Sequence, residues 1–177
     1  MGQSTNKNNP NEVQTKFIDL AYVDMMTAGR FYIAHFLHTK DEICSATNNV
    51  IIKHNYVFSR DIIQNISLLF CDEKIGNNDR YVTGFGLAQK LINMTFKYLY
   101  IFSDLIFVDK PVPDFSVCDC PLDSIIQKAD IKDCVWSKLT EQQYQDCQSK
   151  IAKLLNINRL DFELSKLGNL AYDFINW

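Results

Sequence analysis

The segment Gly84-Phe85-Gly86-Leu87-Ala88-Gln89-Lys90-Leu91-Ile92-Asn93-Met94-Thr95-Phe96-Lys97-Tyr98-Leu99-Tyr100 reads as a helix that is apolar on nearly every side. A helix without a solvent face has to lie inside the molecule. Yet Lys90, Asn93, Thr95 and Lys97 interrupt it, and Lys90, Asn93 and Lys97 recur at i, i+3 and i+7 and so share a face. An amine on a buried helix is costly unless the helix borders a cleft or the amine has a partner. Lys90 is therefore the first candidate for chemistry, and the two glycines ahead of it read as a turn that feeds the helix.

The rest of the chain supports a helical fold. With 177 residues, 47% of them hydrophobic, it can build one substantial core, and six Gly and four Pro are too few for a turn-dense all-β protein. Residues 1–11 read as a disordered polar lead and 12–177 as a single all-α domain, a helical bundle. The lead lacks a basic segment running into an apolar one, and Lys90, Asn93, Lys97 and Asp104 break the longest apolar run, so neither a signal peptide nor a membrane span is expected and a cytoplasmic location is. A net charge of −3 excludes a surface that is all nucleic-acid footprint. Any grip on DNA has to come from a few residues and backbone amides.

Apolar residues Phe17, Leu20, Ala21, Met25, Ala28, Tyr32 and Phe36 fall at three- and four-residue intervals and predict a helix over 12–37, broken near Gly29. Ser45–Asn49 reads as a polar break. A helix is predicted over Tyr56–Phe70 with Ser59 as N-cap, then a loop over Cys71–Tyr81 around Gly76-Asn77-Asn78-Asp79. The apolar helix continues to about Ile106, and Phe107–Cys120, with Pro111 and Pro113, is a connector. Pro121-Leu122-Asp123 starts a short helix, Thr140-Glu141-Gln142-Gln143 caps one that runs through Leu155, and a last helical region over Leu160–Phe174 bends at Gly168. No strand is expected.

Cys44, Cys71, Cys118, Cys120, Cys134 and Cys147 match no common zinc or iron–sulfur spacing, so free thiols are expected, with no metal and no cofactor. His35, His38, Asp41 and Glu42 read as a polar helix end rather than a ligand set.

Taken together, Gly84-Phe85-Gly86…Lys90 and Cys120-Pro121-Leu122-Asp123 resemble the core of the helix-hairpin-helix DNA glycosylase superfamily. Members of that family carry a Gly-hydrophobic-Gly hairpin, a catalytic lysine near the next helix start and an x-Pro-x-Asp motif. The long interval between Lys90 and Asp123 is most similar to the archaeal 8-oxoguanine DNA glycosylase branch, and the resemblance covers roughly Gly84 to Ile126. It implies excision of a modified base, such as an oxidised one, from duplex DNA, with the nucleotide flipped into a pocket between helices. By the motif, Lys90 is the nucleophile, Asp123 the electrostatic partner, and Gly84, Gly86, Asn93 and Lys97 the nucleic-acid-binding residues. Phe85, Tyr98 and Trp177 are candidates to stack a flipped base. In this chain Lys90 lies two residues further from the second glycine than the family pattern places it, and Thr83 stands where the family has proline.

Two other classes stay open. Arg30-Phe31-Tyr32-Ile33-Ala34-His35 resembles the Arg-x4-His motif of HEPN ribonucleases, which implies RNA cleavage by general acid–base action of His35. A small acidic helical chain also suits a non-enzymatic inhibitor or adaptor of phage or mobile-element origin, bound to a protein partner.

Overall fold

Capping signals set most helix starts in the computed structural model, which describes residues 10–29, 38–70, 73–75, 80–129, 131, 135–157, 164 and 166–176. The first helix, α1 (Pro10–Gly29), buries Ile18, Ala21, Tyr22 and Met25, the i, i+3, i+4, i+7 stripe expected of it. The second, α2 (Lys40–Lys53), begins at a capping box: the Glu42 amide donates to Thr39 Oγ1 at 3.3 Å, and the Thr39 amide donates to the Glu42 carboxylate at 2.8 Å. This corrects two expectations. Asp41 and Glu42 open a helix rather than end one, and Ser45–Asn49 lies inside it. Ser45 and Asn49 face solvent, Asn48 accepts a 2.7 Å hydrogen bond from the amide of buried Gln14, and Thr47 turns into the core.

Helix α3 (Arg60–Ser67) starts after Ser59, whose hydroxyl accepts from the Asp61 amide, and buries Ile62, Ile63 and Ile66. Two three-residue strands, β1 (Glu73–Ile75) and β2 (Arg80–Val82), pair antiparallel with Lys74 opposite Tyr81, where the sequence predicted only loop. Strands this short carry too few residues for a period-two pattern to register. The Gly76–Asp79 connection lies outside the described residues.

The central helix, α4 (Gly84–Ile101), is buried along nearly its whole length and packs against α1 and α3. It ends at Phe102, and a single turn, α5 (Ser103–Ile106), follows. A connector with Pro111 and Pro113 leads to α6 (Ser124–Ala129). After a one-turn 3-10 helix (Trp136–Lys138) comes α7 (Glu141–Ile157), opened by the Thr140–Gln143 box as predicted: each backbone amide donates to the other's side chain, at 3.0 and 3.3 Å. The last helix, α8 (Leu170–Ile175), follows Gly168, where φ is +54° and the chain turns. The architecture is all-α, with one small ribbon. Among the described residues no helix is long and apolar enough to cross a membrane.

Candidate functional site

Residues 90, 94, 97 and 98 lie at i, i+4, i+7 and i+8 along α4 and form one stripe about two turns long, or about 10 Å. Lys90, Met94, Lys97 and Tyr98 project from that stripe into a pocket of about 270 Å³. Asp24, Thr27 and Ala28 of α1 form another wall, and Asp123 and Asp173 complete it. The helix that the sequence marked as buried yet charged is buried against a cleft.

Asp123 is the N-cap of α6. One carboxylate oxygen accepts the Ile125 and Ile126 amides at 2.8 and 3.0 Å, and the other accepts the Lys90 ammonium at 2.9 Å. Burial pushes this carboxyl upward, but the Lys90 charge and the hydrogen bonds from Ile126, Lys90 and Ile125 outweigh it and hold Asp123 below the usual carboxylate value. Asp123 is thus a fixed anion. At the far end of the stripe Lys97 meets Asp173 of α8 at 2.5 Å, both almost wholly enclosed. The Lys97 ammonium also lies 5.3 Å from the centroid of the Phe174 ring. Here burial wins: Asp173 is raised above its ordinary value, although Lys97 partly offsets the rise. On the α1 side, Tyr98 donates its phenol to Asp24, and partial burial together with that carboxylate pushes the phenol's pKa up.

A buried hydrogen-bond network on another face of α4 fixes the segment that delivers Asp123. The Gln89 amide brackets the Leu122 backbone, donating to its carbonyl at 3.2 Å and accepting from its amide at 3.4 Å. Gln148 does the same to Cys120, at 2.7 and 3.0 Å. Arg60 grips Asp119 with two hydrogen bonds at 2.7 and 3.1 Å, and the Tyr144 hydroxyl donates to the same carboxylate at 3.0 Å. Burial first, and then the Asp119 charge, pushes the Tyr144 phenol far up, so it stays a donor.

The residues predicted from sequence divide accordingly. Lys90, Asp123 and Lys97 share the pocket, although Lys97 stands in an ion pair rather than on a nucleic-acid surface. Asn93 does not line it: its amide nitrogen reaches Tyr144 Oη at 2.8 Å and joins the network. Gly84 and Gly86 do not form a turn ahead of the helix but its first turn. Thr83 is the N-cap and takes the Gly86 amide at 2.9 Å, so this amide faces inward rather than toward a phosphate. A Cβ on Gly86 would stand 2.7 Å from the Trp136 carbonyl oxygen, which explains glycine there: the 3-10 turn packs directly on the helix backbone. Phe85 packs edge-on against Tyr144, and Tyr98 is the predicted stacking aromatic that does reach the pocket. Arg30, His35 and Trp177 lie outside the described residues.

Asp173, Asp24, Gln89, Gln148, Arg60 and Asp119 escaped the sequence reading, since each gains its role from contacts distant in the chain. Gln89 alone carried a signal, as a polar residue next to Lys90 on the apolar helix. Cys44, Cys118 and Cys120 are buried free thiols, and burial first, then the hydrogen bond and charge of Asp19, pushes Cys44 to about 12. Such thiols are inert. Among the described residues no group of three or more His, Cys, Asp or Glu gathers as a metal set. Compared with protein-family models, with curated proteins and with solved structures, the chain matches none.

Proposed function

We propose that the α4–α6 pocket is the excision site of a DNA glycosylase-type enzyme, with Lys90 as nucleophile and Asp123 as its charged partner. One observation carries this reading: the lysine and the aspartate, thirty-three positions apart, meet at 2.9 Å in the same pocket. At about 270 Å³ the pocket falls just under the roughly 300–1,000 Å³ of sites for drug-sized ligands, a size suited to one flipped base.

Each group suits a step. Asp123 stays ionised near neutrality and faces the sugar, where positive charge develops as the base departs. Lys90, an ammonium in its ion pair, gives a proton to the leaving base. The amine so formed attacks C1′, and opening of the sugar ring yields an imine that permits strand cleavage. The Gln89 and Gln148 brackets hold the aspartate loop in register with the lysine.

Borohydride trapping on oligonucleotides carrying 8-oxoguanine or an abasic site tests the reading. A covalent adduct is expected with the full chain, absent in Lys90→Gln and weakened at least about tenfold in Asp123→Asn, in line with the usual worth of a positioned charge. If no adduct forms and no base is released from any lesion offered, the excision reading is wrong. A non-enzymatic binding protein would then take precedence. That second reading draws on the inward-facing Gly86 amide, which leaves the expected phosphate-gripping turn unavailable.

A further inference from the structure

The excision chemistry draws on one end of the segment Asp119-Cys120-Pro121-Leu122-Asp123, and the other end carries a second carboxylate held by a second cation. Asp123 meets Lys90 of α4, while Asp119, four positions earlier, meets Arg60 at the start of α3. The side chain of Asp119 is only 5% exposed, whereas that of Arg60 is 43% exposed. A carboxylate enclosed this far is costly without a charged partner, and Arg60 supplies one from the surface.

We infer that Arg60 is a positioning residue: its two-point grip on Asp119 sets where Asp123 stands against Lys90. The inference rests on the excision reading for its chemistry and adds a residue that does not itself line the pocket. The segment between the two carboxylates has little freedom to absorb a shift at either end. Pro121 fixes its own φ. Gln148 of α7 holds both the amide and the carbonyl of Cys120, and Gln89 of α4 holds both those of Leu122. Asn93, also on α4, reaches the Cys120 carbonyl at 3.3 Å. The five residues therefore act as a short strut, and a displacement of Asp119 is passed on to Asp123.

The direction of the buried hydrogen bonds singles out Arg60. Asn93 donates to the Tyr144 hydroxyl at 2.8 Å, and Tyr144 donates to Asp119 at 3.0 Å, so this chain of bonds ends on the carboxylate. Arg60 then closes it from the other side, with Nε on one oxygen at 2.7 Å and Nη2 on the other at 3.1 Å. A grip on both oxygens fixes the plane of the carboxylate, which a single donor leaves free to turn. The glutamine brackets are neutral and restrain only backbone, so they do not offset the Asp119 charge. Without Arg60 that carboxylate would turn toward water or take up a proton, and either change unseats the strut.

NMR titration of the carboxyl carbons, run beside borohydride trapping, tests the grip. In Arg60→Ala, Asp123 is expected to titrate closer to the ordinary carboxylate value of about 3.9, and the Lys90 adduct to fall by up to about a hundredfold, the usual cost of misplacing a reacting group. Millimolar guanidinium can enter the half-exposed site and is expected to restore both, while ammonium at the same concentration is not. Arg60→Lys keeps the charge but loses the second point of grip, so it should shift Asp123 in the same direction. Should Arg60→Ala not fold, Arg60→Lys decides alone. Thr39→Ala removes the α2 cap, lowering stability without touching the strut, and is expected to leave the Asp123 titration unchanged. The charged groups that share the pocket with Asp123, namely Lys90, Lys97, Asp24 and Asp173, are common to every chain compared. The proposal is overturned if Asp123 titrates as in the parent in the folded Arg60 variants, if ammonium restores it as well as guanidinium does, or if Thr39→Ala moves it as far. Absence of any adduct with the parent chain would remove the excision chemistry, but the Asp123 titration is read without DNA, so the two failures are distinguishable.

Discussion

The two ends of the α4 stripe are built from the same pair of residue types and behave oppositely. Asp123 is held below the ordinary carboxylate value and Asp173 is raised above it, though each meets a lysine at hydrogen-bonding distance. The difference lies in what else touches the carboxylate. Asp123 caps α6 and takes two backbone amides in addition to Lys90, so three donors share its charge. The hydrogen bond that supports the Asp173 charge comes from Lys97, with Lys90 helping at longer range and Asp123 opposing, against a heavier burial. A lysine partner alone does not keep a buried carboxylate acidic; helix-capping amides do. The Lys90 end is therefore a fixed charge and the Lys97 end one that its surroundings can tip.

The sharpest test removes each lysine in turn. Lys97→Met leaves Asp173 buried with its principal partner gone, and breaking a buried pair in this way costs about 3–5 kcal/mol. Lys90→Met leaves Asp123 with its two amides and a partly exposed side chain, so the loss there should be about 1–2 kcal/mol. Urea unfolding of the two variants measures both. Equal losses would show that the amides do not distinguish the two ends.

A smaller effect separates the ends by geometry. Gly168 turns the chain into α8 at φ +54°, and a Cβ there would stand 2.1 Å from the Ser116 carbonyl oxygen. Gly168→Ala combines left-handed strain with a backbone clash and should cost about 2 kcal/mol. The disturbance should stay near α8. Amide exchange is expected to quicken there while the Ile126 amide, which donates to Asp123, keeps its protection. Loss of protection at Ile126 as well would mean that the two ends are mechanically one unit.

What the sequence made legible follows from the range of the interactions involved. Local signals were readable: Ser59 as a cap, the Thr140–Gln143 box, the break at Gly168 and the buried, charged α4 all appear where patterning placed them. The Thr39–Glu42 box was equally local but was overshadowed by the polar run from Ser45 to Asn49, in which α2 turns Ser45 and Asn49 to solvent, ties Asn48 to Gln14 and buries Thr47. At the site, Lys90 and Asp123 were found because a motif joined them, whereas Asp173, fifty residues beyond Asp123, gains its role only from contacts distant in the chain. The glycine turn was misplaced for a physical reason. Glycine before an apolar helix suits either a turn or close packing, and only the Trp136–Lys138 segment, remote in sequence, decides for packing.

The smallest expected effect is the most specific to the contrast between the two carboxylates, and it lies in the pH dependence of stability. For Asp123 the folded pKa is depressed, so its contribution is fully present above the unfolded value near 3.8 and is lost as pH falls through the folded value. For Asp173 the folded pKa is raised, so its contribution is fully present below the unfolded value and is lost as pH rises through the folded one. Acidifying from neutrality therefore first adds stability through Asp173 and then removes it through Asp123. Unfolding free energies measured across this range should show the upper slope flattened in Asp173→Asn and the lower slope flattened in Asp123→Asn. Surface carboxylates such as Glu42 and Asp114 are common to both variants and cancel when each is compared with the parent chain. If both substitutions flatten the same limb, the two carboxylates titrate as one coupled pair across the pocket, and the division of the stripe into a fixed and a responsive end fails.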